Sequence, residues 1–299
     1  MLDVRRLRLL RDLARLGTIA AVAEAHTYTP SAVSQQLAAL QREAGVPLLK
    51  RTGRGVALTP AGSALVDHAE TVLAALEAAS ATLAAAREGL HGTVRVGAFP
   101  TAVHTLLPAA LVRLVRDHPG LDLMVVELDP AVMSEALRED RLDVALLHDY
   151  DLAPVDPDPA VESSPLLEET VFLAVPGTAE IAEGDLVAGF RDADWIVGAP
   201  GTLCHTVALR TCQAAGFTPR VRHHVDDFTS VLALVAAGQG VALIPQLGAA
   251  RAAGDVRLLP LPARRRTLIA HRRGAGTHPI VAACTHAIHA AAHDYQVME

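Results

Sequence analysis

Residues 29–45, T-P-S-A-V-S-Q-Q-L-A-A-L-Q-R-E-A-G, leave few choices of fold. Thr29 can cap a helix N-terminus through its hydroxyl, Pro30 suits the first helical position, and Gly45 fits the left-handed residue beyond the last turn. A helix of about four turns is expected. Val33, Leu37 and Leu40 recur at helical spacing on one apolar face, while Ser31, Ser34, Gln35 and Gln36 crowd the other side of the first two turns. Glutamine can make a two-pronged contact to adenine and serine fits several base edges, so such a helix end can read a major groove. It is expected to be a recognition helix.

The flanking sequence supports this. Val4, Leu7, Leu10 and Leu16 sit near helical spacing among arginines ahead of Gly17, and Thr18 can cap a short second helix through Ala25. Two helices, a tight turn at 26–28 and a third helix with a polar N-terminal end form a helix-turn-helix pattern. Residues 46–59, V-P-L-L-K-R-T-G-R-G-V-A-L-T, can fold as a hairpin with Gly53 and Gly55 near its tip, making a wing. There Arg54 could enter a minor groove, with Lys50 and Arg51 where phosphates would pass. Thr59 and Pro60 begin another helix, expected to run to about Glu88. Leu65, Val72, Ala79 and Ala86 form one heptad series in it and Ala69, Leu76, Leu83 and Leu90 the other, which is a coiled-coil seam and points to a dimer.

Charge divides the chain in the same place. The first 60 residues carry nine lysines and arginines against four acids, and the remainder carries 17 against 29. A basic head on an acidic body fits a polyanion-binding module joined to one that does not bind polyanions. At 299 residues two or three domains are expected. Three cysteines are too few for a secreted disulfide framework and point to a reducing cytoplasm. Arg8, Arg11, Asp12 and Arg15 interrupt any signal-peptide core, and no apolar run approaches a membrane span.

The runs A-A-V-A-E-A, T-P-S-A-V-S-Q-Q-L-A-A-L and L-L-K-R-T-G-R-G-V-A-L-T-P-A-G resemble the N-terminal domain of the LysR-type transcriptional regulators over residues 2–90 without a gap. Pro30 stands where the family usually has glutamine, which removes one base-reading side chain, and Leu49 where it usually has phenylalanine. The resemblance implies a sequence-specific DNA-binding regulator, a homodimer or homotetramer on double-stranded DNA, with RNA polymerase as a further candidate partner and no cofactor. DNA contact falls to Thr29, Pro30, Ser31, Ser34, Gln35, Gln36, Lys50, Arg51 and Arg54.

From Gly92 the texture becomes alternating strands and helices: strands at 93–98, 121–128 and 143–147 with helices at 101–115 and 131–138, then strands at 171–175, 195–197, 221–225, 241–244 and 268–271 with helices at 203–215, 229–237 and 279–292. Two such α/β units resemble the family's effector-binding domain, itself similar to periplasmic solute-binding proteins. The expected fold is therefore α/β: an N-terminal all-α winged helix-turn-helix domain (1–59), a coiled-coil linker helix (60–90) and a C-terminal periplasmic-binding-protein-like domain (91–299). Its subdomain I would be about 91–163 and 264–299, and subdomain II about 164–263.

Ligands of open α/β sheets bind beyond the carboxyl ends of strands, where helix N-termini present free amides. Phe99, Pro100, Thr101 and Ala102 in one unit and Gly201, Thr202 and His205 in the other qualify, with His148, Asp227 and Phe228 at similar strand ends. Facing helix N-termini favour a small anion such as a carboxylate. By resemblance this cleft binds a small-molecule inducer.

Cys204 and Cys212 resemble the cysteine pair of peroxide-sensing LysR-type proteins at a slightly different spacing, so a redox-sensing regulator is the alternative function. On one helix they would lie more than two turns apart and could not bond without unwinding it. His286, His289 and His293 fall near one face of the last helix and His223 adjoins His224, an arrangement read as a titratable surface in preference to a metal site. Arg264 to Arg266 read as a solvated run. The sequence contains no G-x-S-x-G, H-E-x-x-H or G-x-x-x-x-G-K pattern, so no enzyme is expected, and a transport protein is disfavoured by the basic head.

Overall fold

The computed structural model describes residues 1–53, 55–86, 89–181, 184–250 and 255–298. The chain divides into two compact units, Met1–Arg87 with Arg272–His278 and Glu88–His271 with Pro279–Glu299.

In the first unit, helix α1 (Val4–Leu16) begins at Asp3, whose carboxylate accepts from the Arg5 and Arg6 amides, and ends at Gly17 with φ of 73°. Helix α2 (Ile19–Ala25) is capped by Thr18, and α3 (Pro30–Ala44) runs from Thr29, which accepts from the Ala32 amide, to Gly45 with φ of 70°. Both glycines adopt the left-handed geometry that side chains disfavour. Strands β1 (Leu49–Thr52) and β2 (Gly55–Leu58) pair antiparallel, with Leu49 opposite Leu58. Helix α4 (Pro60–Ala85) follows, capped by Thr59.

Leu7, Leu10, Leu13, Val22, Val33, Leu37, Leu40, Leu48 and Ala69 form the core of this unit. Among them, Asp12 accepts from Arg11 Nε at 2.9 Å and meets His26 Nε2 at 2.7 Å, fastening the turn ahead of α3 to α1. Burial would raise Asp12, but the His26 and Arg11 contacts outweigh it and leave its pKa lowered. At the wing, Gln41 Oε1 accepts from both the Leu48 and Leu49 amides at 3.0 Å. Val72, Leu76 and Leu83, all from the two heptad series, stand exposed on α4.

The second unit contains β3 (Gly92–Ala98), α5 (Pro100–Thr105), α6 (Leu107–Asp117), β4 (Leu121–Glu127), α7 (Pro130–Arg138), β5 (Val144–Tyr150), β6 (Val161–Pro176), β7 (Asp194–Val197), α8 (Leu203–Ala214), β8 (Arg220–His224), α9 (Phe228–Ala236), β9 (Ala242–Pro245), α10 (Gln246–Ala249), β10 (Val256–Arg272) and α11 (Pro279–Met298). One six-stranded sheet has the order β4-β3-β5-β10-β6-β9, and β7 and β8 make a separate parallel pair. The strand β3 is parallel to β4 and β5, whereas β10 runs antiparallel to β5.

Separate hydrophobic cores lie against that sheet. Val94, Val96, Leu107, Leu114, Met133, Leu137, Ile269 and Ile288 belong to the first. In the second, β7 alternates: Trp195 and Val197 face Ala208 and Cys212 of α8, while Ile196 faces Val231, Leu232 and Val235 of α9.

Three local readings change. The helix expected at 101–115 is broken at Leu106 into α5 and α6, because Pro108 cannot donate to the preceding turn and its ring crowds that turn's carbonyl. The short strands expected at 171–175 and 268–271 are parts of β6 and β10, of 16 and 17 residues, which contribute to both the first core and those that follow it. The last helix runs on to Met298 instead of stopping at 292. Helix α4 ends at Ala85, short of the expected Glu88, so Ala86 and Leu90 of the two heptad series lie beyond it. Arg54 lies outside the described residues. No described helix is long and apolar enough to cross a membrane.

Thr59 Oγ1 donates to the Pro47 carbonyl at 2.8 Å and accepts from the Gly62 amide, so the start of α4 is clamped on the root of the wing. A methyl group on Gly62 would overlap the Leu48 carbonyl oxygen. Gly62→Ala is therefore expected to destabilise this unit by roughly 1–3 kcal/mol, read as a lower urea midpoint with unchanged slope.

Candidate functional site

The first surface is the N-terminal half of α3. Val33, Leu37 and Leu40 are buried, so helical geometry turns Thr29, Pro30, Ser31, Ser34, Gln35 and Gln36 outward, and all six are exposed. Thr29 and Ser31 hydroxyls lie 3.0 Å apart. Gln36 Oε1 accepts from Arg6 Nε at 2.9 Å, and Arg6 also pairs with Glu43, so one face of Gln36 is already committed to α1. Lys50 and Arg51 are exposed on β1.

The second is a cleft of about 250 Å³ in the other unit, just below the usual size of ligand pockets. It is lined by Phe99, Pro100, Thr101, Glu127, Leu128, Asp129, Pro130, His148, Thr202, Cys204, Asp226, Phe228 and Arg265. Six expected residues thus come together: Phe99, Pro100, Thr101, His148, Thr202 and Phe228. The other four do not line it. Ala102 is fully buried in the core, and Gly201 forms the turn before α8 with φ of 95°. Asp227 caps α9 through the Ser230 amide at 2.8 Å. His205 turns its Nδ1 to the Gly198 carbonyl at 3.0 Å and stacks on His224.

At the floor lies a side chain that the sequence misplaced. Arg265 is 1% exposed, although the run 264–266 reads as solvated. Burial alternates along β10, with 265 and 267 inward and 264, 266 and 268 less so, but three consecutive arginines carry no sequence pattern that singles out the middle one. Its Nε and Nη2 donate to the two oxygens of Glu169 at 2.7 and 2.8 Å, and Nη2 also reaches Thr101 Oγ1 at 3.3 Å. Glu169, 1% exposed, accepts further from the Leu247 amide at 2.8 Å and the Thr267 hydroxyl at 3.1 Å. The Phe99 ring centroid lies 4.9 Å from the guanidinium carbon. Burial alone would lower the Arg265 pKa, but the Glu169 carboxylate offsets this and leaves it raised.

Above this pair, His148 packs edge-on against Phe99 and Tyr150. Burial, then the Arg265 charge, hold its pKa well below the ordinary 6.5, so the imidazole is neutral. Its Nδ1 has no hydrogen-bond partner among the described residues. Cys204 Sγ lies 3.7 Å from Tyr150 Oη. Burial pushes the Cys204 thiol up despite that contact, and burial pushes Cys212 up to about 12. Both cysteines lie on α8, where eight positions amount to about 12 Å of rise, so neither the geometry nor the thiol chemistry favours a disulfide here. No group of three or more histidine, cysteine, aspartate or glutamate side chains among the described residues is placed to hold a metal.

Residues 4–63 match the family model of the bacterial regulatory helix-turn-helix protein, lysR family, and residues 87–292 match that of the LysR substrate binding domain. The transcriptional dual regulator GltC of Bacillus subtilis is 28% identical over 248 residues, spanning 82% of this chain and 81% of that protein. A probable hydrogen peroxide-inducible genes activator of Mycobacterium avium is 30% identical over 275 residues, spanning 86% of this chain and 87% of that protein. A mutant OxyR of Corynebacterium glutamicum shares the fold at a TM-score of 0.58 and 24% identity, with 98% of this chain and 94% of that one covered.

Glu169→Gln leaves the Arg265 charge buried with a neutral partner and is expected to cost about 3–5 kcal/mol in urea unfolding. Glu169→Leu combined with Arg265→Met removes both charges and should recover most of that loss. For His148 the unfolded chain binds the extra proton below pH 6.5 while the folded chain does not, so stability falls as pH drops below 6.5 and is insensitive to this residue above it. His148→Gln should remove that component when unfolding is compared one unit to either side.

Proposed function

The chain belongs to the LysR family of bacterial transcriptional regulators, and on that premise we propose that it is a cytoplasmic, sequence-specific reader of double-stranded DNA controlled by a small molecule held between its two C-terminal subdomains. The observation that carries the DNA half is the exposed row of Ser31, Ser34 and Gln35 at the capped end of α3, over a side held rigid by Val33, Leu37 and Leu40. Short hydroxyls and an amide there can meet base edges, while Lys50 and Arg51 on the wing meet phosphates and supply salt-dependent affinity. Arg54, by sequence, would extend the contact into a minor groove.

The exposed heptad residues Val72, Leu76 and Leu83 would bring α4 against its copy in a dimer or tetramer, so two heads would read an interrupted inverted repeat. In the body, an effector in the cleft would bias the arrangement of the two subdomains, since its walls come from both: Phe99, Thr101 and His148 from one, Thr202, Asp226 and Phe228 from the other. Redox sensing through Cys204 and Cys212 is the weaker reading, because both thiols are held protonated and lie far apart along one helix.

Selection of bound sequences from random duplexes by the full-length protein at fixed salt should yield an interrupted inverted repeat. On that operator, Gln35→Ala is expected to relax base preference at one position by about 1–3 kcal/mol, whereas Arg51→Ala should weaken all duplexes alike and lower the salt slope by about 1. Equal loss on every sequence for both variants would defeat the assignment.

A further inference from the structure

The first unit is built from two pieces of chain, and the second piece is short. Residues 272–278 follow β10 and precede α11, yet they belong with Met1–Arg87. Two tight turns shape them: the Ala275 amide donates to the Arg272 carbonyl at 3.0 Å, and the His278 amide to the Ala275 carbonyl at 2.9 Å. Gly274 stands in the left-handed region with φ of 85°, and a Cβ there would overlap the Ala74 carbonyl oxygen of α4. Arg272 Nε pairs with Glu77 Oε1 at 3.4 Å, and both side chains are half-buried.

Ala74 and Glu77 are neighbours on one face of α4, which they share with the buried Ala81. At about 3.6 residues per turn, that face points away from the exposed Val72, Leu76 and Leu83. The helix is therefore gripped by 272–278 on one side and exposed on the other.

Strand β10 joins this grip to the cleft. Its Arg265 and Thr267 hold Glu169 at the cleft floor, and its last residue, Arg272, lies about 23 Å of extended strand beyond Arg265. Pairing with β5 runs from Arg265 to Ala270, so no loop lies between the cleft floor and Arg272 to absorb a displacement. At the other end of α4, Thr59 clamps the helix to the root of the wing.

Building on the DNA and effector readings above, we infer that residues 272–278 are the coupling element of the regulator. A change at the cleft floor passes along β10 to α4 through Gly274 on Ala74 and Arg272 on Glu77, and the DNA-reading head follows α4. Close-packed contacts of this kind turn small shifts into discrete rearrangements.

Coupling is reciprocal, so bound DNA must bias the cleft by the same free energy with which the cleft biases the head. DNA therefore serves as the probe, and Cys204, which lines the cleft, serves as the reporter, since Cys212 and Cys284 are buried. The test is the rate at which full-length protein reacts with dithiodipyridine, with and without the operator duplex obtained by selection, duplex binding being measured in the same samples and Cys204→Ser identifying the reacting thiol. Operator is expected to change the Cys204 rate by about threefold or more. Glu77→Arg, which sets like charges together, should abolish that change while operator affinity and the thermal melt hold, and Glu77→Arg with Arg272→Glu should restore it. Where Glu77→Arg lowers the melt, Glu77→Gln, which removes the charge and keeps the shape, is read in its place and should shrink the change. A rate that bound operator leaves unchanged in the unaltered protein, or changes equally in the Glu77 variants, overturns the coupling while leaving the DNA reading intact. Absence of duplex binding by the unaltered protein overturns the DNA reading, and this inference with it.

Discussion

Four hydrogen bonds converge on the Glu169 carboxylate, and the arrangement of the C-terminal body depends on them. Two come from Arg265, one from Thr267 and one from the Leu247 amide. Glu169 lies on β6 and Arg265 on β10, the two long neighbouring strands of the sheet, so the pair ties those strands together. A buried ion pair contributes little net stability unless its remaining lone pairs and protons are satisfied, and here the carboxylate is fully occupied. The structural return is positional. The guanidinium holds Thr101 and underlies Phe99, and both form one wall of the cleft.

That arrangement decides the electrostatics above it. A guanidinium free of Glu169 would make the floor an anion trap. Paired with Glu169, it still acts on His148, whose pKa is lowered by burial and by this charge. The expectation of an anion on two facing helix N-termini rested on dipoles alone, and dipoles are equivalent to fractions of a charge. Of those two termini, the one at Pro100 opens a helix of only six residues with no side-chain cap.

The DNA-facing unit shows the opposite economy. Its polar surface is made by local rules, and the core beneath it supplies only rigidity. Asp12, His26 and Arg11 form a nearly buried network that fixes the turn before α3, and Gln41 takes up the first two wing amides. Gln36 illustrates the limit of reading a face from periodicity: it lies on the expected side of the helix, yet Arg6 from α1 has taken its carbonyl.

The sequence by itself determined the capped helices of the N-terminal unit, the wing, the start of α4 and the alternation of strands and helices in the body, because caps, glycine stops and periodicity act within a few residues of one another. It also located six of the cleft residues, since strand ends and helix starts are local features. Only the tertiary structure decided that Arg265 lies buried while its neighbours do not, that Glu169 lies beneath it, and that Glu127, Asp129, Cys204 and Asp226 join the cleft. Arg265 and Glu169 are 96 residues apart. No local pattern pairs two charges over that distance; β6 and β10 do so by lying side by side in one sheet.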